Sequence, residues 1–267
     1  MKTTNLPLGR ETDYPQKYAP ETLCPIARAD SRGPLGIGEP PPFRGVDIWN
    51  AWELSWLADN GHPKIAVAEI RVPADSPNLV ESKSLKLYLG SFAMSRFADA
   101  AHVGNTIAAD LSECAGARVE VTLDPEIAIS ALHGPCIDGL DIDCESWEVD
   151  AGLLVADERV VVDESVHSHL LRSLCPVTAQ PDMGSVEIRY KGPYIDPASL
   201  LRYIASFREH SDFHEACVER MFVDIKKRCV PTSLSVYARY QRRGGIDINP
   251  FRSSRAERPV NTRLWRQ

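Results

Sequence analysis

The chain of 267 residues has a formal charge of −7, with 43% hydrophobic and 25% charged residues; this is the composition of a globular protein able to bury a core. Such an acidic balance excludes a whole-protein polyanion binder, because nonspecific nucleic-acid affinity comes from Lys and Arg neutralising phosphates. No apolar run approaches the roughly 20 residues of a membrane span, the stretch Met1 to Tyr18 lacks a signal-peptide core, and seven cysteines in no regular framework fit reduced thiols, so the expected location is the cytoplasm.

Residues 1–45, rich in Pro, Gly and charge, are expected to form an irregular lead-in. In "DIWNAWELSWL" (47–57), Trp52, Leu54 and Trp56 alternate as in a strand, while Ile48, Trp52 and Trp56 also fit a helix face; we read a strand. "PKIAVAEIRVPA" (63–74) is a strand by its β-branched content and its bounding prolines. Next comes a repeat: "VESKSLKLYLGSF" (80–92) aligns with "IDPASLLRYIASF" (195–207), matching Ser84/Ser199, Leu85/Leu200, Tyr88/Tyr203, Ser91/Ser206 and Phe92/Phe207 at one offset.

In the second copy, Asp196 followed by Pro197 marks a helix start, and Leu200, Ile204 and Phe207 recur at helical spacing. By the repeat, Glu81 starts the first-copy helix and Leu85, Leu89 and Phe92 form its buried stripe. A second helix is predicted in each half, about 98–114 and 212–229, and "ARVEVTL" (117–123) and "SLSVYARY" (233–240) close the halves as strands. This order implies an α+β architecture, an antiparallel sheet with a helix pair on one face, present twice. The expected modules are 46–155 and 156–267. No Gly-x-Gly-x-x-Gly opens a helix after a strand, so a dinucleotide would bind without a Rossmann site.

Several residues could carry chemistry. Lys83 and Lys86 project to one side of the first turns of a helix, where cations oppose the macrodipole at about 0.3–1 kcal/mol each and an anion would meet free backbone N–H groups; a solvated lysine face is the plainer alternative. Cys175, held extended before Pro176, is a nucleophile if its thiolate is favoured, with Asp182 as a candidate proton donor; a structural cysteine and a turn aspartate are the ordinary alternative. "LCPIARAD" (23–30) resembles "LCPVTAQPD" (174–182), which makes Cys24 a second Cys-Pro, a decoy or a relic. Asp212 and Glu215 fit a capping box. His214 shares a helical side with Val218, Met221 and Ile225 and is expected to face apolar neighbours; the first copy has Ala98 and Asp99 near that place.

Arg242 and Arg243 beside Gly244 and Gly245 suit phosphate recognition, and eight Arg stand between Arg239 and Gln267 against Asp247 and Glu257, a local anion site in an acidic chain. His167-x-His169 has a possible ligand spacing, but no cysteine pair stands at C-x-x-C distance and "CIDGLDIDC" lacks zinc-motif geometry. No metal is assigned.

Together, "ESKSLK" (81–86), "CPVTAQPD" (175–182), "FHE" (213–215), "RRGGIDINP" (242–250) and the end "NTRLWRQ" resemble the QueF family, NADPH-dependent 7-cyano-7-deazaguanine reductases, in its long two-module form. The resemblance implies tandem tunnelling-fold modules assembled as a homo-oligomer, at least a dimer. It implies reduction of a nitrile on a deazapurine to a primary amine, in queuosine synthesis for tRNA modification. NADPH would serve twice per turnover, with no flavin, no catalytic metal, no direct nucleic-acid contact and no membrane.

By the same resemblance, Cys175 adds to the nitrile carbon to give a thioimide and Asp182 protonates the nitrogen. Val80, Glu81, Ser82, His214 and Glu215 bind the base, and Ser82, Lys83, Lys86, Arg243 and Gly244 bind the cofactor. The first copy keeps Glu-Ser-Lys and the second keeps Cys-Asp, His-Glu and Arg-Gly-Gly, so neither half is expected to work alone. Met183 departs from the aromatic residue that relatives often carry after the aspartate. Two other readings compete: a metal-assisted cyclohydrolase of the same fold, and an RNA-binding module built on the Arg-rich end.

Overall fold

The computed structural model describes residues 14–267; the first part of the expected lead-in lies outside the described residues. Contacts divide the chain into two units. The first comprises residues 14–34, 47–127 and 242–248, and the second 35–46, 128–241 and 249–267. This division differs from the expected one at 155/156. The "RRGG" turn groups with the first unit although it follows the second in sequence.

Residues 14–45 are not irregular throughout. They hold a 3₁₀ turn at Pro20–Thr22, strand β1 (Pro25–Ala27) and helix α1 (Ala29–Leu35). Pairing of Pro25 with Val80 secures β1 against β4 (Asn78–Val80), and the buried Arg28 guanidinium reaches Asp47 at 2.6 Å and Ser76 at 3.1 Å. A three-residue strand is too short to leave a periodic trace in a Pro/Gly-rich composition.

The rest of the first unit consists of β2 (Arg44–Leu57, of which 47–57 belong here), β3 (Pro63–Pro73), α2 (Ser82–Gly90), α3 (Ala100–Ala115), β5 (Glu120–Leu123) and the first residues of β10 (Ile246–Ser253). Its sheet order is β5-β3-β2 with β10 beginning beside β2, and β3 pairs β5 antiparallel from Ala68/Leu123 to Arg71/Glu120. Ala66, Ala68, Ile70 and Val72 face the core at the period of a strand, and Val103, Ile107, Leu111 and Ala115 at that of a helix. The α2 stripe of Leu85, Leu89 and Phe92 is buried as read from the sequence. Asp99 caps α3 through His102 N–H, and Gly116 at φ 69° closes it.

The second unit follows the same plan: a long hairpin of β7 (Ala156–Leu174) and β8 (Pro181–Ile195), α4 (Pro197–Ala205), α5 (His214–Cys229), β9 (Ser233–Tyr240) and the rest of β10. Its sheet runs β10-β9-β8-β7, with β8 and β9 antiparallel from Gly184/Tyr240 to Lys191/Ser233. A short parallel pair joins β6 (Ala128–Ile129) to β11 (Thr262–Arg263). Arg252, wholly buried, pairs with Glu219 at 2.8 Å and lies over the Phe43 ring. Arg239, also buried, reaches Tyr237 and Asn261. Two of the eight arginines of this stretch, Arg239 and Arg252, are thus internal framework, while Arg242, Arg255, Arg258 and Arg266 are exposed.

Hydrogen bonds expose the repeat more fully than the sequence does. Glu81 N–H bonds to Cys24 O and Cys24 N–H to Ser84 Oγ; Asp196 N–H bonds to Val155 O and Val155 N–H to Ser199 Oγ. Tyr88 donates to Asp110 as Tyr203 does to Asp224. Leu57 N–H bonds to Ser95 O and Leu174 N–H to His210 O, and the next residues, Ala58 and Cys175, each close a short loop, onto His62 O and Gln180 O. The counterpart of Cys175 is therefore Ala58, and that of Cys24 is Val155. Cys24 is no relic of Cys175, because the two Cys-Pro pairs occupy different places in the repeated unit.

Candidate active site

In the second unit, β7 delivers Cys175 to the start of a tight loop. Bonds from Cys175 N–H to Gln180 O (2.9 Å) and from Ala179 N–H to Cys175 O (3.0 Å) hold it closed, with Ala179 in the left-handed region at φ 54°. Cys175 is 4% exposed and Asp182, at the second position of β8, is 3% exposed. His214, the first residue of α5, brings Nε2 to 3.2 Å from Asp182 Oδ2. Its ring stacks on Tyr240 with centroids 3.8 Å apart and planes 6° from parallel. The expectation that His214 simply faces apolar side chains is corrected: its ring meets an aromatic face, its Nε2 meets a carboxylate, and its buried Nδ1 has no hydrogen-bond partner among the described residues.

The capping box is also absent. Asp212 bonds through its main chain to Leu174 O at 3.2 Å, which holds it extended alongside the end of β7, and its carboxylate accepts from Phe213 N–H. The helix accordingly starts at His214 with Phe213 as N-cap and no side-chain cap bond. Glu215, 3% exposed, is buried in the first turn of the helix.

In the first unit the N-terminus of α2 carries the Glu-Ser-Lys motif. Glu81, fully buried, caps the helix: Oε1 accepts from Lys83 N–H at 2.8 Å and Oε2 from Ser84 N–H at 2.7 Å. Asp196 does the same for Ser199 N–H at 2.9 Å in the other copy. Its carboxylate is thus committed first to the helix, with further lone pairs left to accept from a ligand. Val80, buried, ends β4, and Ser82 begins the helix.

The other element there is a two-residue turn. Gly244 (φ 61°) and Gly245 (φ 81°) both lie in the left-handed region, as a type I′ turn requires; Ile246 N–H bonds to Arg243 O at 3.4 Å across the turn, and Arg243 N–H returns to Ile246 O at 2.8 Å. A Cβ on Gly244 would stand 3.2 Å from Lys86 Cδ and Cε, so the missing side chain lets the lysine pack on the turn. Arg242 pairs with Glu53 and lies over Trp52, whose N–H bonds to Gly245 O at 2.9 Å. Asp247 accepts from Asn50 (2.8 Å) and from Trp52 Nε1 (2.5 Å). This anchoring at Trp52 and Asp247 has no motif of its own in the sequence and went unread there.

The structure thus brings Asp182 and His214 together near the Cys175 loop in one unit, and Lys86 and Gly244 together beside Lys83 in the other. In the other copy Cys175, Asp182, His214 and Glu215 are matched by Ala58, Lys64, Ala100 and Ala101, by the loop bonds and by the starts of β3 and α3. Burial raises the thiol of Cys24, with Glu81 adding to it, pushes Cys114 and Cys229 to about 11, and lifts Cys217 further. Such thiols are poor nucleophiles near neutrality.

Two copies of an antiparallel α+β unit, one of them holding a buried cysteine beside a carboxylate–histidine pair, define a tandem α+β protein. The pattern described as "Nitrile reductase, 7-cyano-7-deazaguanine-reductase N-term" matches residues 14–123, and that described as "QueF-like protein" matches residues 181–259. The NADPH-dependent 7-cyano-7-deazaguanine reductase of Azoarcus sp. (strain BH72) is 56% identical over 93% of this chain and 90% of its own length. That of Paraburkholderia xenovorans (strain LB400) is 53% identical over the whole of both chains. The apo archaeosine synthase QueF-Like crystal structure aligns with 36% of this chain and 96% of its own at TM-score 0.32 and 17% identity, too distant to inform the argument. The chain belongs to the QueF family.

Proposed function

We propose that this protein reduces the nitrile of 7-cyano-7-deazaguanine to the primary amine in queuosine synthesis, through a thioimide on Cys175. The observation that carries this reading is the buried Asp182–His214 pair at 3.2 Å, next to the closed loop of Cys175. The Cys175 thiolate adds to the nitrile carbon while Asp182 gives a proton to the nitrogen, forming C(=NH)–S. His214 Nε2 holds Asp182 in place and can return a proton to it. After one reduction the sulfur leaves as thiolate and the nitrogen lone pair forms the imine; a second reduction gives the amine.

The residues present fit a dinucleotide phosphate: Lys83 and Lys86 stand at a helix N-terminus, and Arg243 and Gly244 form a turn without a side chain at its tip. When bound, NADPH supplies one hydride at each of the two reduction steps. Val80, Glu81, Ser82, His214 and Glu215 bind the base; His214 Nδ1 is a buried polar atom free to meet it, and a site built to bond a polar edge discriminates strongly. No flavin or catalytic metal enters this scheme. The family relationship supports a homo-oligomer, at least a dimer, working in the cytoplasm on a small molecule, not on nucleic acid or membrane; no helix among the described residues is long and apolar enough to cross a membrane.

The test is mass spectrometry with peptide mapping of the protein mixed with 7-cyano-7-deazaguanine and no NADPH, beside Cys175→Ala. An adduct confined to Cys175 that disappears when NADPH is added is the expected result. No adduct, or one on Cys24, removes the thioimide.

A further inference from the structure

Away from these residues, the second unit gathers a set of side chains that the reaction does not use. Cys136, His167 and His169 each offer a ligand atom, and these atoms lie within 4.8 Å of one another, the one such group of three among the described residues. His167 and His169 lie two apart on β7, so they share a face of the strand. Cys136 comes from a distant loop that the sequence spacing could not connect to them. That loop is bonded to the strand: Ile137 N–H to His167 O and His167 N–H to Pro135 O, both at 3.0 Å. Gly134 makes the approach possible, because a Cβ there would stand 1.7 Å from Ser165 O.

We propose that Cys136, His167 and His169 form a zinc site that clips this loop to β7. Each imidazole has its Nδ1 engaged, His167 with His133 O at 3.1 Å and His169 with Ser185 Oγ at 2.8 Å. Against a carbonyl, Nδ1 must carry the hydrogen, which leaves Nε2 of His167 with its lone pair. Metal-binding histidines are held by this outer bond to the second nitrogen. Asp138 adds an independent sign. Its Oδ2 accepts from His169 N–H at 2.9 Å, while Oδ1 is buried with no hydrogen-bond partner, an acceptor that a cation or its bound water would satisfy.

Thiolate and carboxylate together bring two negative charges, against one nearby guanidinium, that of Arg266, which donates to His169 O at 3.0 Å. Zinc bonded to sulfur and nitrogen at tetrahedral angles needs ligand atoms about 3.4–3.6 Å apart. Cys136 is exposed, so its side chain can turn to close the remaining ångström or so. One thiolate with two imidazoles selects zinc over magnesium or calcium, which take oxygen ligands. The fourth position goes to Asp138 Oδ1 or to water.

The full-length protein is stripped with chelator, dialysed and titrated with CoCl2 and then ZnCl2, in parallel with Cys136→Ser, His169→Gln and Cys175→Ala. One equivalent of Co2+ should give a thiolate-to-cobalt charge-transfer band that Zn2+ removes, and Zn2+ should raise Tm. Cys175→Ala should keep both effects. Cys136→Ser should lose the band, and both site variants should bind zinc at least ~100-fold more weakly. Because Cys136 is exposed, its variant should fold, which circular dichroism checks. No band in the wild-type protein, or a band lost in Cys175→Ala and kept in Cys136→Ser, overturns the site. Adduct formation at Cys175 is read separately, so this proposal and the proposed activity can fail independently.

Discussion

Asp182 stands 3.2 Å from an imidazole in a site closed to water, and a general acid in that position accounts for about 10²–10⁴ in rate. Asp182→Asn should therefore cut kcat by about that factor and slow adduct formation at Cys175, in stopped-flow and mass measurements; an adduct rate equal to wild type would reject the proton-donor role. Lys83→Ala should raise the KM for NADPH while sparing the adduct, because its proposed partner is the cofactor's phosphate. Gly244→Ala puts a Cβ at φ 61° and 3.2 Å from the Lys86 stem, a strain of about 1–3 kcal/mol, and should lower Tm and weaken NADPH binding together. At this scale sequence motifs marked the residues of the proposed site but not their surroundings. Helical spacing sent His214 toward apolar side chains, whereas a helix's first residue can turn toward the loop before it, here to Asp182 and Tyr240. The Cys24 likeness failed for a related reason: two residues, Cys and Pro, are too short a match to fix a place in a repeated backbone.

Among the elements, α2 and α5 start differently, and that separates two acidic residues that look alike in sequence. Glu81 holds two backbone N–H groups, so Glu81→Ala should cost about 1 kcal/mol of stability besides any loss of substrate binding. Glu215 stands in the first turn of α5, after the N-cap Phe213; with the base as its proposed partner, Glu215→Ala should lose substrate affinity with little loss of stability, and isothermal titration and thermal melts distinguish this from a structural role. The turn before α5 also responds to pH. Burial, helped by the positive charge of Arg220, lowers His210 to about 4. Below about 6.5 the unfolded chain takes up a proton that folded His210 refuses until pH 4, so this group destabilises the fold progressively across that window. The raised pKa of its neighbour Asp212 acts in the opposite direction as pH falls. Melting from pH 7 to 4 should show a smaller Tm loss in His210→Gln than in wild type. Strands β3 and β9, helix α4 and, through the repeat, α2 were legible because each has a period and bounding Pro, Gly or Asp, whereas β1, α1 and β7 were not. The capping box was not, since the bond from Asp212 N–H to Leu174 O is a long-range contact that overrides a local pattern.

In the whole molecule, the matched positions of the repeat mark shared framework. Ser84 and Ser199, Tyr88 and Tyr203, Ser91 and Ser206 make the same buried hydrogen bonds in each unit, which is why they stood out in sequence while the chemistry diverged around them. Another framework device carries no motif in the sequence: Arg252 is buried on Glu219, and Glu219→Ala should cost about 3–5 kcal/mol by leaving a buried charge, measurable by urea denaturation. The boundary between units was less legible because the first unit is not continuous in sequence. Trp52 and Asn50 are bonded to residues 245–247, so the ribosome must make most of the protein before that unit has all its parts. At about 5–20 residues per second, Ile248 follows Ile127 by roughly 6–24 s. For that interval the nascent first unit waits with its second strand lacking these partners, and its completion belongs to the last moments of synthesis.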